Sequence, residues 1–152
     1  MNGGWLRAGV ALACLALMDA GAVRAGAGTS PAALTAARFS AVAYPDLAKW
    51  DASGCSFAVF RGKDMIGLFD TQDPKKTALF KIDGTLLFVP AGTMQKGAYW
   101  NGVVAGSAVQ LIKGKANPKF RNDGGGQGGD GRVEWTGPSG SGTIPVRWEE
   151  GC

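Results

Sequence analysis

The sequence predicts an all-β fold, a compact antiparallel barrel or sandwich of about eight short strands. Three observations predict it. From Cys55 onward apolar residues recur at every second position, the period of a strand with one buried face. Asp83-Gly84 stands between two β-rich runs, and this pair favours a two-residue hairpin because both turn positions need positive φ. The 152 residues include 25 Gly and 7 Pro, against an average Gly usage of ~7%. That surplus suits many turns and argues against a helical bundle.

Taken in order, residues 1–25 read as a secretory signal peptide. Arg7 precedes an apolar run, Ala8 to Met18, that is too short to span a bilayer. Val23-Arg24-Ala25 gives the small-x-small cleavage pattern, with Ala20-Gly21-Ala22 and Ala25-Gly26-Ala27 as competing cuts. Lipid attachment at Cys14, after Ala11-Leu12-Ala13, is the alternative, and a Cys removed with the signal is preferred. The expected location is therefore periplasmic or secreted, with no transmembrane anchor in the mature chain. Residues 26–53 read as a linker or N-terminal arm, rich in Ala, Thr, Ser and Pro. Residues 54–152 form the β-domain.

Within that domain the expected strands begin with Cys55 to Phe60 and Met65 to Phe69. The hairpin of Ala78 to Ile82 and Thr85 to Val89 follows. Ala98 to Val104 and Ser107 to Lys113 continue the pattern. Residues 114–131 hold Pro118 and seven Gly, and read as a long Gly-rich loop. Arg132 to Trp135 and Thr143 to Glu149 close the set, and Pro145 points to an edge position or a bulge.

The composition excludes much chemistry. There is no His, so Ser-His-Asp and Cys-His nucleophiles, His-metal sites and the usual pH switch are absent. No metal ligand set or cofactor motif is expected. The stretch Gly125 to Val133 overlaps a calcium nonapeptide but carries Arg132 where an apolar residue belongs, and only once. Without the signal, Cys55 and Cys152 remain, an even pair in an oxidising compartment, and a disulfide between them is expected. The mature chain then holds 14 basic and 11 acidic side chains, too mild a bias for a nucleic-acid binder. The densest basic run is Lys113, Lys115, Lys119 and Arg121 around Phe120, a candidate grip for an anionic surface or protein. Tyr99-Trp100 are neighbours on a strand, so one faces outward. Trp100 is the expected exposed aromatic.

At Cys55-Ser56-Phe57, Ala78 to Gly84 and the terminal Cys152, the chain resembles small exported bacterial β-domains that carry no assigned activity. More distantly it is similar to the periplasmic and membrane-bound inhibitors of C-type lysozyme. That resemblance implies a small barrel with a strand-to-C-terminus disulfide and a Ser-Gly loop that enters the lysozyme cleft. Here Ser139-Gly140-Ser141-Gly142 would be that loop, with Arg147 reaching a catalytic carboxylate. In the family the loop lies mid-domain and runs on to a small residue and a Tyr; here it runs into Thr143-Ile144-Pro145. The leading expectation is an exported, non-catalytic β-domain that binds an envelope or extracellular protein or glycan. The alternatives are a lysozyme-type inhibitor and a small hydrolase built on cross-strand carboxylates.

Overall fold

A computed structural model describes residues 32–50, 54–93, 95–120 and 125–152. The signal peptide, Cys14 and Arg121 lie outside the described residues. Eight antiparallel strands form one sheet that curls into a nearly closed barrel: β1 (Ser56–Arg61), β2 (Asp64–Asp70), β3 (Ala78–Ile82), β4 (Thr85–Val89), β5 (Trp100–Val104), β6 (Ser107–Ala116), β7 (Gln127–Gly137) and β8 (Gly140–Gly151). The strand order is β4-β3-β2-β1-β8-β7-β6-β5. The first and last strands therefore pair mid-sheet, with Phe57 opposite Glu150 and Val59 opposite Trp148. Cys55 and Cys152 are joined by a disulfide beside that pairing, their Cα atoms 3.9 Å apart. The seam of the barrel falls between β4 and β5, which are consecutive in the chain.

Strand direction sorts the connections into two ends. Tight turns at 62–63, 83–84, 105–106 and 138–139 lie at one end. The longer connections, from β2 to β3, β4 to β5 and β6 to β7, start and end at the other, called here the mouth, with the disulfide. The Asp83-Gly84 hairpin is as expected: both residues have positive φ, 49° and 79°, and Ile82 pairs with Thr85. Pro145 sits opposite Arg132 in β7, but β1 pairs with β8 only from Arg147 onward. The proline thus lies where β8 has a neighbour on one side, and that local edge tolerates its missing N–H.

One expectation is corrected. Residues 114–131 are not one long loop, because β6 continues to Ala116 and β7 begins at Gln127. Gly129 pairs directly with Trp148, and a Cβ there would lie 2.9 Å from the indole. Inward glycines face aromatic rings elsewhere too. Gly67 pairs with Phe80 and Gly142 with Trp135, and in each case a side chain on the glycine would crowd that ring. Several glycines therefore serve to admit large rings into a narrow barrel rather than to make turns.

The segment 32–50 is an arm, and it belongs to the core. It crosses the tight-turn end of the barrel, where Leu34 and Phe39 join the interior cluster. Phe39 bridges to Ile82, and the Arg61 guanidinium donates to the Ala36 and Phe39 carbonyls at 2.6 and 3.0 Å. The chain then runs over the outer wall. Val42 packs with Leu68 and Leu79, Asp46 pairs with Lys81 at 2.8 Å, and Trp50 stacks on Phe88. Tyr44 stays exposed.

Candidate functional site at the barrel mouth

With the tight-turn end plugged by the arm, the mouth is the end at which interior side chains meet solvent. Its floor is a stack of rings from three parts of the chain. Phe57 lies between Trp148 (ring centroids 5.5 Å apart) and Tyr99 (4.2 Å). Strand phase then brings charge onto this floor. In β8 the inward series Ile144, Val146, Trp148 continues to Glu150, and in β6 Val109 and Leu111 continue to Lys113.

The Lys113 ammonium sits 4.2 Å from the Trp148 ring centroid, 5.2 Å from Tyr99 and 5.3 Å from Phe57. It pairs with Glu150 Oε2 at 2.6 Å. Gln127 Nε2 donates to the same oxygen at 3.3 Å. Three ring faces and a carboxylate thus hold one ammonium in a partly desolvated place, where cation–π attraction exceeds its value at an exposed site.

Tyr99 hydrogen-bonds Glu150, and its phenol is pushed up to about 12, chiefly by burial and then by the negative charge of Glu150. In a Tyr44→Phe background, tyrosinate absorbance is expected to report one transition centred near pH 12. The folded value lies above the unfolded value of about 10, so the stabilisation is present below pH ~10 and is lost as pH rises from ~10 to ~12. Glu150→Gln should lower the midpoint without restoring it fully, since burial remains. A midpoint at about 10 in the unsubstituted site would contradict this geometry.

Beside the stack lies a cleft of about 330 Å³, lined by Phe69, Asp70, Thr71, Lys76, Tyr99 and Glu150 among others. Its volume is near the lower bound of ordinary ligand pockets. The connection 71–77 is rigidly built. Asp70 Oδ1 accepts the amides of Gln72 and Asp73, and Asp73 accepts those of Lys75 and Thr77 at 2.9 Å. The Thr77 hydroxyl and these amides hold the Asp73 carboxyl below its ordinary range. Trp100 Nε1 donates to the Lys76 carbonyl at 2.9 Å and so fixes the loop from beneath.

At this end of the barrel the connections and the end of β6 carry exposed lysines, Lys75, Lys76, Lys96, Lys115 and Lys119, of which Lys76 lines the cleft. Among the described residues, no group of three His, Cys, Asp or Glu side chains comes together as a metal site. No helix among them is long and apolar enough to cross a membrane.

The structure separates the residues expected to act together. Trp100 is 1% exposed, so Tyr99 is the partly exposed partner and Trp100 the core one. Lys113 points into the mouth, whereas Lys115 and Lys119 face solvent. Ser139 occupies a two-residue turn with Pro138, since Gly137 pairs with Gly140, and Ser141 is already in strand opposite Thr136. The segment therefore does not project as a loop. Arg147 lies six strand positions beyond Ser141, about 20 Å along β8. There it packs between Phe60 and Phe120 on the outer wall and pairs with Glu149. Sequence reasoning missed Glu150 and Asp70 as cleft residues, although the phase of Ile144, Val146 and Trp148 already points Glu150 inward. No protein-family model, curated protein or solved structure matches this chain.

Proposed function

We propose that the protein is an exported, non-catalytic binding domain whose barrel mouth receives a negatively charged envelope or extracellular partner. The observation that carries this reading is the group of exposed lysines at the same barrel end as a rigid, ring-floored cleft, opposite the end that the arm covers. Like charges converging on one concave end raise the local concentration of an opposite partner and speed its approach. Dextran sulfate, with neutral dextran as control, is a direct probe. Binding is expected to weaken with salt and to fall at least about tenfold, about 1.4 kcal/mol, when Lys75, Lys96, Lys115 and Lys119 are all replaced by Glu. Lys63→Glu, at the opposite end, should leave it within about twofold. Equal losses in both variants, or no binding at all, would refute an anionic partner at the mouth.

A second reading rests on Asp70 and Glu150, which line the same cleft from β2 and β8 with β1 between them. Two strand spacings separate their backbones by about 10 Å, and a pair of carboxyl groups about 5–9.5 Å apart is the requirement for glycoside hydrolysis. Against it, Glu150 Oε2 already accepts from Lys113 Nζ and Gln127 Nε2. Asp70 accepts two amides. Release of reducing ends from peptidoglycan, abolished by Glu150→Gln, would establish hydrolysis and displace the non-catalytic reading.

A further inference from the structure

We propose that the mouth cleft takes an acidic sugar residue, with Lys76 as the side chain that recognises its acid group. This deepens, and rests on, the reading of the mouth as the end that binds. The first observation is the distribution of donors and acceptors over the cleft lining. Asp70 and Glu150 contribute carboxylates. The Tyr99 phenol is bonded to Glu150, and the Thr71 hydroxyl donates to the Cys55 carbonyl at 3.2 Å. Both protons are thus committed, and the two oxygens are left with acceptor capacity alone. Lys76 is the one cation among the described residues of the lining.

The second observation is backbone strain at that lysine. Among the described residues, Lys76, Asp83 and Ala105 are the non-glycine residues with positive φ. Asp83 and Ala105 each precede a glycine in a two-residue hairpin turn, where both places require positive φ. Lys76, at φ 46°, sits instead in the connection from β2 to β3, in the left-handed region that favours glycine. Its surroundings hold it there. Lys76 N–H donates to the Asp73 carbonyl at 2.8 Å, and its own carbonyl accepts Trp100 Nε1 at 2.9 Å. The neighbouring Lys75 carbonyl accepts Ala91 N–H at 2.9 Å. A glycine would relieve the strain, so a lysine kept at the cleft points to a use for its ammonium.

These two observations decide the ligand. It must bring hydroxyl donors for the acceptors and an anionic group for Lys76, within one small unit. A uronic acid carries both on one ring. An acidic peptide side chain brings only acceptors, which Asp70 and Glu150 repel. An ammonium group suits the carboxylates and is repelled by Lys76. Tyr99, the partly exposed ring of the lining, gives the C–H face of a sugar an apolar surface to cover.

Titration of the isotope-labelled mature protein, followed by NMR at the Lys76 and Tyr99 backbone amides, is the test. D-glucuronate is expected to shift both. Its affinity should exceed by at least about tenfold those of glucose, which lacks the acid, glutarate, which lacks the hydroxyls, and glucosamine. Lys76→Gly and Lys76→Asn should each weaken D-glucuronate at least about tenfold. Both should leave the urea midpoint unchanged or higher, since Gly and Asn suit positive φ. Lys63→Asn should alter neither property. Polygalacturonate against free D-galacturonate separates the sources: tighter binding per residue makes the ligand a glycan, equal binding a free sugar acid. Glutarate or glucosamine binding as tightly as D-glucuronate overturns the proposal, as does D-glucuronate binding that survives both Lys76 variants. Dextran sulfate binding that the four-lysine replacement abolishes, with no response to D-glucuronate, overturns it too and leaves the mouth reading standing.

Discussion

Replacing Cys55 and Cys152 with Ser is expected to remove on the order of 4–5 kcal/mol of stability. The bridge closes a loop of 97 residues, and the chain-entropy model values a loop of ~100 residues at about 4.7 kcal/mol. Its position adds a structural reason for a large effect. The terminal strands meet mid-sheet, so β1 and β8 hold the two four-strand halves together. Without the bridge the unfolded chain no longer has its ends tied. Urea unfolding should then show a lower midpoint together with a steeper slope, because the freed chain exposes more surface on unfolding. A midpoint unchanged within error would mean that the β1–β8 pairing alone closes the sheet. Free thiols at Cys55 and Cys152, detected by alkylation and mass spectrometry, would remove the premise.

What was legible in the sequence was what neighbours in the chain decide. The Asp83-Gly84 hairpin is local: two positive-φ residues between two β runs leave few alternatives, and the register is the one expected. The disulfide followed from cysteine arithmetic, which needs no geometry. The glycines were harder, because a Gly in a turn and a Gly beneath a ring look alike in one dimension. Gly129 makes sense only once Trp148, nineteen positions on, is known to lie opposite it. Tyr99-Trp100 had the right phase and the wrong polarity, since alternation says that one is inside without saying which. Lys113 and Glu150 were within reach. Each continues an apolar period-two series by one step, but a charge at the inward position reads as the end of a strand unless a partner across the barrel is foreseen.

Phe39→Ala is expected to destabilise the fold by about 3–5 kcal/mol, the range for removing a buried phenylalanine. The segment 26–53 is rich in Ala, which gives hydrophobic periodicity little amplitude, and that is why the sequence reads there as a linker or an arm. Phe39 is the large side chain that commits the arm. It is 1% exposed, edge-on to Phe80 with ring centroids 6.0 Å apart, and tilted against Trp135 at 5.9 Å. Its loss would leave a cavity against Phe80 and Trp135, and aromatic pairs of this geometry add about 0.5–1.5 kcal/mol beyond buried area. The backbone around it is fixed by Ser40 N–H to the Lys81 carbonyl at 2.8 Å and Asp83 N–H to the Arg38 carbonyl at 2.9 Å. The vacancy therefore cannot close by a simple slide of the arm. Tyr44→Ala, at a side chain 88% exposed, is the control and should stay within about 0.5 kcal/mol. Urea midpoints for the two variants separate the cases. Equal, small effects would make the arm a tether lying against a barrel that is complete without it. A large loss at Phe39 alone makes the arm an integral part of the core at the tight-turn end of the barrel.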